Sequence, residues 1–294
     1  MQRPPITQAL NLINPKLSSV TYEAKQSLDG EKRLVITGEI NREQDMHIIC
    51  RITSADDLYI LMQAADILTR QGVLFSIFIT YLMGMGTDKV TDFNQPFTLG
   101  IIANIINSLH PIKVVLVEPY SYRAIALIKN CEARSLNIAS IPTEYLCTPD
   151  ENVYDHYIDQ LRYLNSKVDN AADQYKGALI GLKDKDTGEY KVINADEYEG
   201  GTITVLDCLC DDGEKLATIA QILREMAPEA TLKVHVTHMV NEQAIALLSK
   251  SYDEVEFSDS YTNWTLSELP DNVRCQLIWN KEPEHQPEVS TEEE

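Results

Sequence analysis

The sequence is short of positive charge. Its 294 residues carry 25 Lys and Arg against 45 Asp and Glu, a net charge of −20 at pH 7. Proteins that hold duplex nucleic acid draw most of their affinity from Lys and Arg set against phosphates, so nucleic acid is excluded as the expected partner. A small anionic ligand needs local cations, backbone amides or a divalent metal to offset this background. No stretch reaches the roughly 18 uninterrupted apolar residues that a membrane helix requires, so no membrane partner is expected. The opening MQRPPITQAL lacks the charged-then-apolar layout of an export signal. Six cysteines (Cys50, Cys131, Cys147, Cys208, Cys210 and Cys275) are scattered, without the density of a secreted disulfide scaffold. A soluble cytoplasmic protein with reduced thiols is the expectation. Short-period repeats are missing. The one biased stretch is 281–294, KEPEHQPEVSTEEE, with six glutamates, two prolines and no large apolar side chain, which reads as a disordered tail.

Apolar runs are present, but short and regularly spaced. From Val73 onward, β-rich runs alternate with segments of helical period, as in a parallel sheet covered by helices. The expected strands are Val73–Thr80, Lys113–Pro119, Gly177–Leu182, Thr202–Leu209, Thr231–His238 and Glu254–Ser260, nearly all apolar on both faces. Between them, LYILMQAADILTRQ, FTLGIIANIINSL, LATIAQILREM and EQAIALLSK repeat apolar residues every three or four positions. The predicted fold class is α/β, with mainly parallel sheets covered by helices. Single cores stop growing near roughly 250–300 residues. A division near Leu146–Asp150 gives halves 1–147 and 148–280, each with its own strand–helix alternation, followed by the tail.

Open sheets of this kind bind ligands beyond the C-terminal ends of their strands. Polar loops follow the expected strands at MGMGTDKVTDFNQP, EPYS, KDKDTGE and DCLCDDGEK. In the last of these, Asp207 is followed by Asp211, Asp212 and Gly213 and then a helix. Acids at a strand end suit ribose hydroxyls or a metal, and the amides of a Gly turn at a helix start suit phosphate. A solvated acidic turn would look the same. Cys208 and Cys210 should share one face of their strand, and no further thiol or His pair lies nearby in sequence, so zinc is not expected there. His47, His156, His235 and His285 fit surface or strand roles, and His110 sits at the wrong end of its strand to serve the loops.

The DCLCDDGEK loop resembles the VDDxxDTGGT motif of phosphoribosyltransferases and ribose-phosphate pyrophosphokinases (PRPP synthetases). Asp207 and Asp211 match its outer acids and Gly213 a loop glycine, while Cys208, Asp212, Glu214 and Lys215 depart from it. The segment TYLMGMGTDKVTDFNQPFTLGIIANIINS resembles the PYFxYARQDR loop and PxTAKLVANLL helix of PRPP synthetases, with Tyr81, Asp88, Lys89, Pro96, Thr98, Ala103 and Asn104 aligned without a gap. Gly86 and Thr87 replace its Arg–Gln pair. Asn41 and Glu43 match the residues that read adenine, without the preceding aromatic; Asp57 and Leu58 match the start of the next helix. Thr148, Pro149 and Asp150 match the SPD motif, Thr237 and His238 a TH pair, and Ser258, Asp259 and Ser260 a TNT-like strand end. Lys183 and Lys185 stand where the family carries a mobile Lys-x-Arg arm. Glu118, Pro119 and Tyr120 replace its DLH sequence, and a protonated phenol is a poor magnesium ligand. The resemblance runs from about residue 39 to 262.

The resemblance implies two tandem phosphoribosyltransferase-like domains, 1–147 and 148–280, and a Mg2+-dependent diphosphokinase that moves the β,γ-diphosphate of ATP to the anomeric hydroxyl of a ribose 5-phosphate compound, in a homo-oligomer. It implies that Asn41, Glu43, Asp88 and Lys89 contact ATP, and that Asp207, Asp211, Asp212, Gly213 and Lys215 hold ribose and phosphate. Asp150 and Glu118 would hold the metal, with Lys183 and Lys185 as catalytic cations that close over the phosphates. Asp212 and Glu214 would repel a dianionic 5-phosphate, whereas a diester carries less charge there. ADP-ribose is such an acceptor, and the altered loop looks compatible with phage-encoded PRPP-synthetase-like enzymes of NAD salvage. The competing reading is a catalytically inactive homologue that binds nucleotide or regulates a partner enzyme. A phosphoribosyltransferase that consumes PRPP would leave the first half unexplained.

Overall fold

The computed structural model describes residues 8–90, 92–134, 141, 143–151, 153–157, 176–184 and 186–278. Lys185, His285 and the acidic tail lie outside the described residues. The first sheet runs β1-β4-β5-β6-β7, from β1 (Gln8–Asn11), β4 (Met46–Ile52), β5 (Phe75–Leu82), β6 (Lys113–Val117) and β7 (Cys131–Arg134). All its pairings are parallel. An antiparallel hairpin, β2 (Tyr22–Gln26) and β3 (Lys32–Ile36), is inserted before β4. The second sheet has the order β10-β9-β8-β11-β12-β13-β14. Its strands are β8 (Tyr145–Thr148), β9 (Gly177–Lys183), β10 (Tyr190–Ile193), β11 (Thr202–Cys210), β12 (Thr231–Met239), β13 (Glu254–Ser258) and β14 (Val273–Gln276). Only the β9–β10 edge is antiparallel among the described pairs. The α/β class read from the alternation is therefore the observed one.

Local chemistry explains the elements. β5 is buried almost throughout, as a strand covered on both faces should be. Helix α1 (Ala55–Arg70) starts at a capping box in which Ser54 accepts from the Asp57 amide and the Asp57 carboxylate accepts from Ser54. It buries Leu58, Leu61, Ala64, Ala65 and Leu68, and each such leucine contributes about 2 kcal/mol. α2 (Thr98–Ser108) and the short α3 (Arg123–Leu127) complete the first layer. In the second, a helical segment α4 (residues 153–157) follows β8, and α5 (Glu214–Met226) and α6 (Glu242–Ser251) cover β11 and β12. The division expected at 147/148 falls inside β8, whose residues already pair with β9 and β11.

The two sheets meet through the C-terminal ends of their strands. Arg51, near the end of β4, donates to the Ser260 and Asp259 carbonyls at 2.8 and 2.5 Å. Thr80 of β5 donates to Ser260 O at 2.8 Å. After β6, the Glu118 carbonyl accepts from His238 Nε2 at 2.9 Å, and Tyr122 donates to the His156 carbonyl at 2.9 Å. The edges at which open sheets bind ligands thus face each other.

Candidate active site

At the end of β11, Asp207 is fully buried, and Lys215, in the first turn of α5, reaches back to it: Lys215 Nζ lies 2.7 Å from Asp207 Oδ2 and 3.3 Å from Asp150 Oδ2. Burial raises the Asp207 carboxyl above the usual range, with Lys215 pulling the other way. Burial alone would lower the Lys215 ammonium, but Asp207 and Asp150 outweigh it and hold it above the ordinary lysine value. Tyr120 borders the cluster: its phenol is raised by burial, with Lys215, Asp207 and Asp150 all acting on it. Asp207 has no exposed surface in this structure, and its carboxylate pairs with Lys215.

The turn before α5 supplies its own anion. Asp212 Oδ1 accepts from the Glu214 amide at 2.9 Å, and Asp211 Oδ1 from the Asp212 amide at 2.8 Å. Asp211 and Asp212 are exposed. Gly213 has φ +80° and is buried, and a Cβ there would meet Ala244 at 3.2 Å, so the turn needs glycine.

From the first sheet, Asp88 reaches the same region through the loop after β6. Its Oδ2 accepts from Ser121 Oγ at 2.8 Å, and its carbonyl accepts from Arg123 Nη1 at 3.0 Å. Lys89 beside it is exposed. One loop, residues 118–123, therefore links Asp88 to Asp150, Asp207 and Lys215. Lys183 closes β9 at the tip of the β9–β10 hairpin, exposed, with Nζ 5.3 Å from the centre of the Tyr190 ring. Asp184 ties that tip by accepting from the Asp186 and Thr187 amides, which lowers its carboxyl. β9 runs parallel to β8, which places Lys183 on the edge that carries Asp150. Asn41 and Glu43 are elsewhere: they form an exposed turn just before β4, with Asn41 Oδ1 accepting from the Glu43 amide at 3.0 Å. That is the N-terminal edge, opposite Asp88.

Glu118 also departs from expectation. It is fully buried at φ +37°, with Oε1 2.7 Å from His156 Nε2. Its carboxylate faces imidazole and the Cys208 thiol, whereas magnesium prefers carboxylate and water oxygens. Asp150, partly exposed and next to Asp207, has the donors that suit magnesium. Cys208 and Cys210 do not share surroundings: Cys208 packs with Leu146, Val153, Tyr157 and Leu206, Cys210 with the α5–α6 core. His156 and His238 are buried members of the junction. The one signal for His156 was its spacing with Val153 and Tyr157 on a single helix face.

No family model and no curated protein matches the chain. A crystal structure of phosphoribosylpyrophosphate synthetase from Mycobacterium smegmatis is similar over 90% of this chain and 88% of its own, with a TM-score of 0.72 and 14% identity. At that identity the likeness establishes a common fold. Among the described residues no helix is long and apolar enough to cross a membrane.

Proposed function

We propose that this chain is a magnesium-dependent diphosphokinase that transfers the β,γ-diphosphate of ATP to the anomeric hydroxyl of a ribose compound. The observation that carries the reading is the convergence of Asp150, Lys215 and the Asp88–Ser121–Arg123 cluster around one loop, where the ligand-binding edges of two sheets face each other. In the transfer, the hydroxyl oxygen bonds to Pβ as the bond from Pβ to the bridging α-phosphate oxygen breaks. AMP leaves with that oxygen, and the hydroxyl proton passes to solvent. Bound magnesium, with Asp150 as its protein ligand, would neutralise the phosphate oxygens. Lys215, oriented by Asp207, supplies a fixed positive charge beside them. Lys183, on the same edge, supplies a second cation; Lys185, outside the described residues, is the third cation of this proposal.

ADP-ribose is the preferred acceptor in this proposal, ahead of ribose 5-phosphate. Support comes from Asp212, whose carboxylate already caps the helix start and repels a dianionic monoester. A phosphodiester carries less charge and needs a more open pocket. The second reading, an inactive nucleotide-binding regulator, is favoured by one specific feature: Lys215 and Asp212 fill the cation and anion positions from within the chain. Release of AMP from ATP and magnesium, measured with each acceptor, decides between them. Higher kcat/KM with ADP-ribose is expected. A preference for ribose 5-phosphate removes the acceptor proposal, and no AMP with either acceptor overturns the transfer reading in favour of the regulator.

A further inference from the structure

We propose that Glu118, His156 and Cys208 form a zinc site that clamps the two sheets together, separate from the Asp150–Asp207–Lys215 cluster. The three side chains come from distant parts of the chain: the loop after β6, α4 and β11. Each is more than nine-tenths buried, and one ligand atom from each lies within 4.8 Å of the other two. Carboxylate, imidazole and thiolate are the donor types zinc takes, and magnesium does not take the last two.

Several features prepare these groups for a metal rather than for an ordinary core. Glu118 is held at φ +37°, a conformation that L side chains rarely adopt, and its carbonyl is fixed by His238 Nε2. The backbone thus commits the carboxylate to the interior. His156 Nε2 faces Glu118, while Nδ1 is buried without a hydrogen-bond partner. The ring is braced by Tyr122, whose hydroxyl donates to the His156 carbonyl and whose ring lies 4.8 Å away, and by Tyr157 edge-on at 4.8 Å. A ring held in this way can present a lone pair in a fixed direction. The Tyr157 hydroxyl, 3.6 Å from Cys208 Sγ, closes the remaining side. Tetrahedral zinc separates its ligand atoms by roughly 3.5 Å, so side-chain shifts of about 1 Å bring the three donors to one ion, with a water as the fourth ligand. Binding deprotonates the Cys208 thiol and releases that proton to solvent.

The test uses the full chain, stripped with a chelator, reloaded with Zn2+ or Co2+ and desalted. One zinc per chain is expected to remain, and the cobalt form to show tetrahedral visible bands with thiolate-to-cobalt charge-transfer absorption. Cys208→Ser should abolish the charge-transfer band, and His156→Gln should lower the metal retained at least tenfold. Cys131→Ser and Cys275→Ser, which change the half-buried thiols, should leave the band intact. An absent band in the unaltered protein overturns the site whether or not the variants fold. So does a band that survives Cys208→Ser or is lost with Cys131 or Cys275.

Discussion

Asp207 and Cys208 are neighbours on one strand, yet their side chains enter opposite worlds. Asp207 meets an ammonium ion that is itself partly exposed and shared with Asp150, so its charge is balanced at the edge of solvent. Cys208 enters a dry enclosure of Glu118, His156 and Tyr157, where donors face each other without solvent. Because strand side chains alternate, a single residue step separates a charge-balanced cluster that reaches solvent through Lys215 and Asp150 from a closed one. The difference predicts that the wet side fails by losing a counter-charge and the dry side by gaining one.

The largest effect should come from Lys215→Met, which strands Asp207 as a buried carboxylate with no cation. A loss of about 3 kcal/mol is expected, read as a lower urea midpoint. Equal midpoints would mean that Asp207 simply takes up a proton and that the wet cluster contributes little.

On the dry side the test is acid. Burial pushes the His238 imidazole down to about 4, from an ordinary value near 6.5. The unfolded chain therefore binds more protons than the folded one between those values. Stability is complete above about pH 6.5 and falls as the pH drops toward 4, by on the order of 2 kcal/mol at pH 4.5 for this fully buried group. Urea unfolding of the unaltered chain and of His238→Gln at pH 7 and 4.5 measures it: the variant should lose less on acidification. An identical loss in both would place the acid sensitivity elsewhere.

The smallest effect is expected for Asp150→Asn. Its partner Lys215 keeps Asp207, and both Asp150 and Lys215 are partly exposed, so stability should change by less than about 1 kcal/mol. AMP release, in contrast, should fall at least tenfold under the proposed function. Loss of stability without loss of turnover would make Asp150 a structural partner only.

The wet side was legible in sequence and the dry side was not. DCLCDDGEK carries its acids and Lys215 within nine residues, and strand, turn and helix period place them together. The parallel strands were legible for a related reason, since β5 and β11 carry apolar residues on both faces and β12 alternates them. β7, β8 and β10 escaped notice because four-residue strands carry too few alternations to show a period. Glu118 and His156 are 38 positions apart and His238 lies 120 beyond Glu118, so their meeting depends on how two sheets pack, which no local pattern encodes. Asn41 and Glu43 fall in an exposed turn before β4, a position their motif match does not encode.

The facing strand ends also set an order of events for the growing chain. Every strand of the first sheet has been synthesised once Arg134 is made, whereas Arg51 must wait for Ser260, 209 residues downstream. Contacts of such separation close late, after the local units that carry them have formed. The first sheet would then emerge from the ribosome with Arg51, Thr80 and the Glu118 loop still lacking their partners, and the site would be the last part of the molecule to come into being.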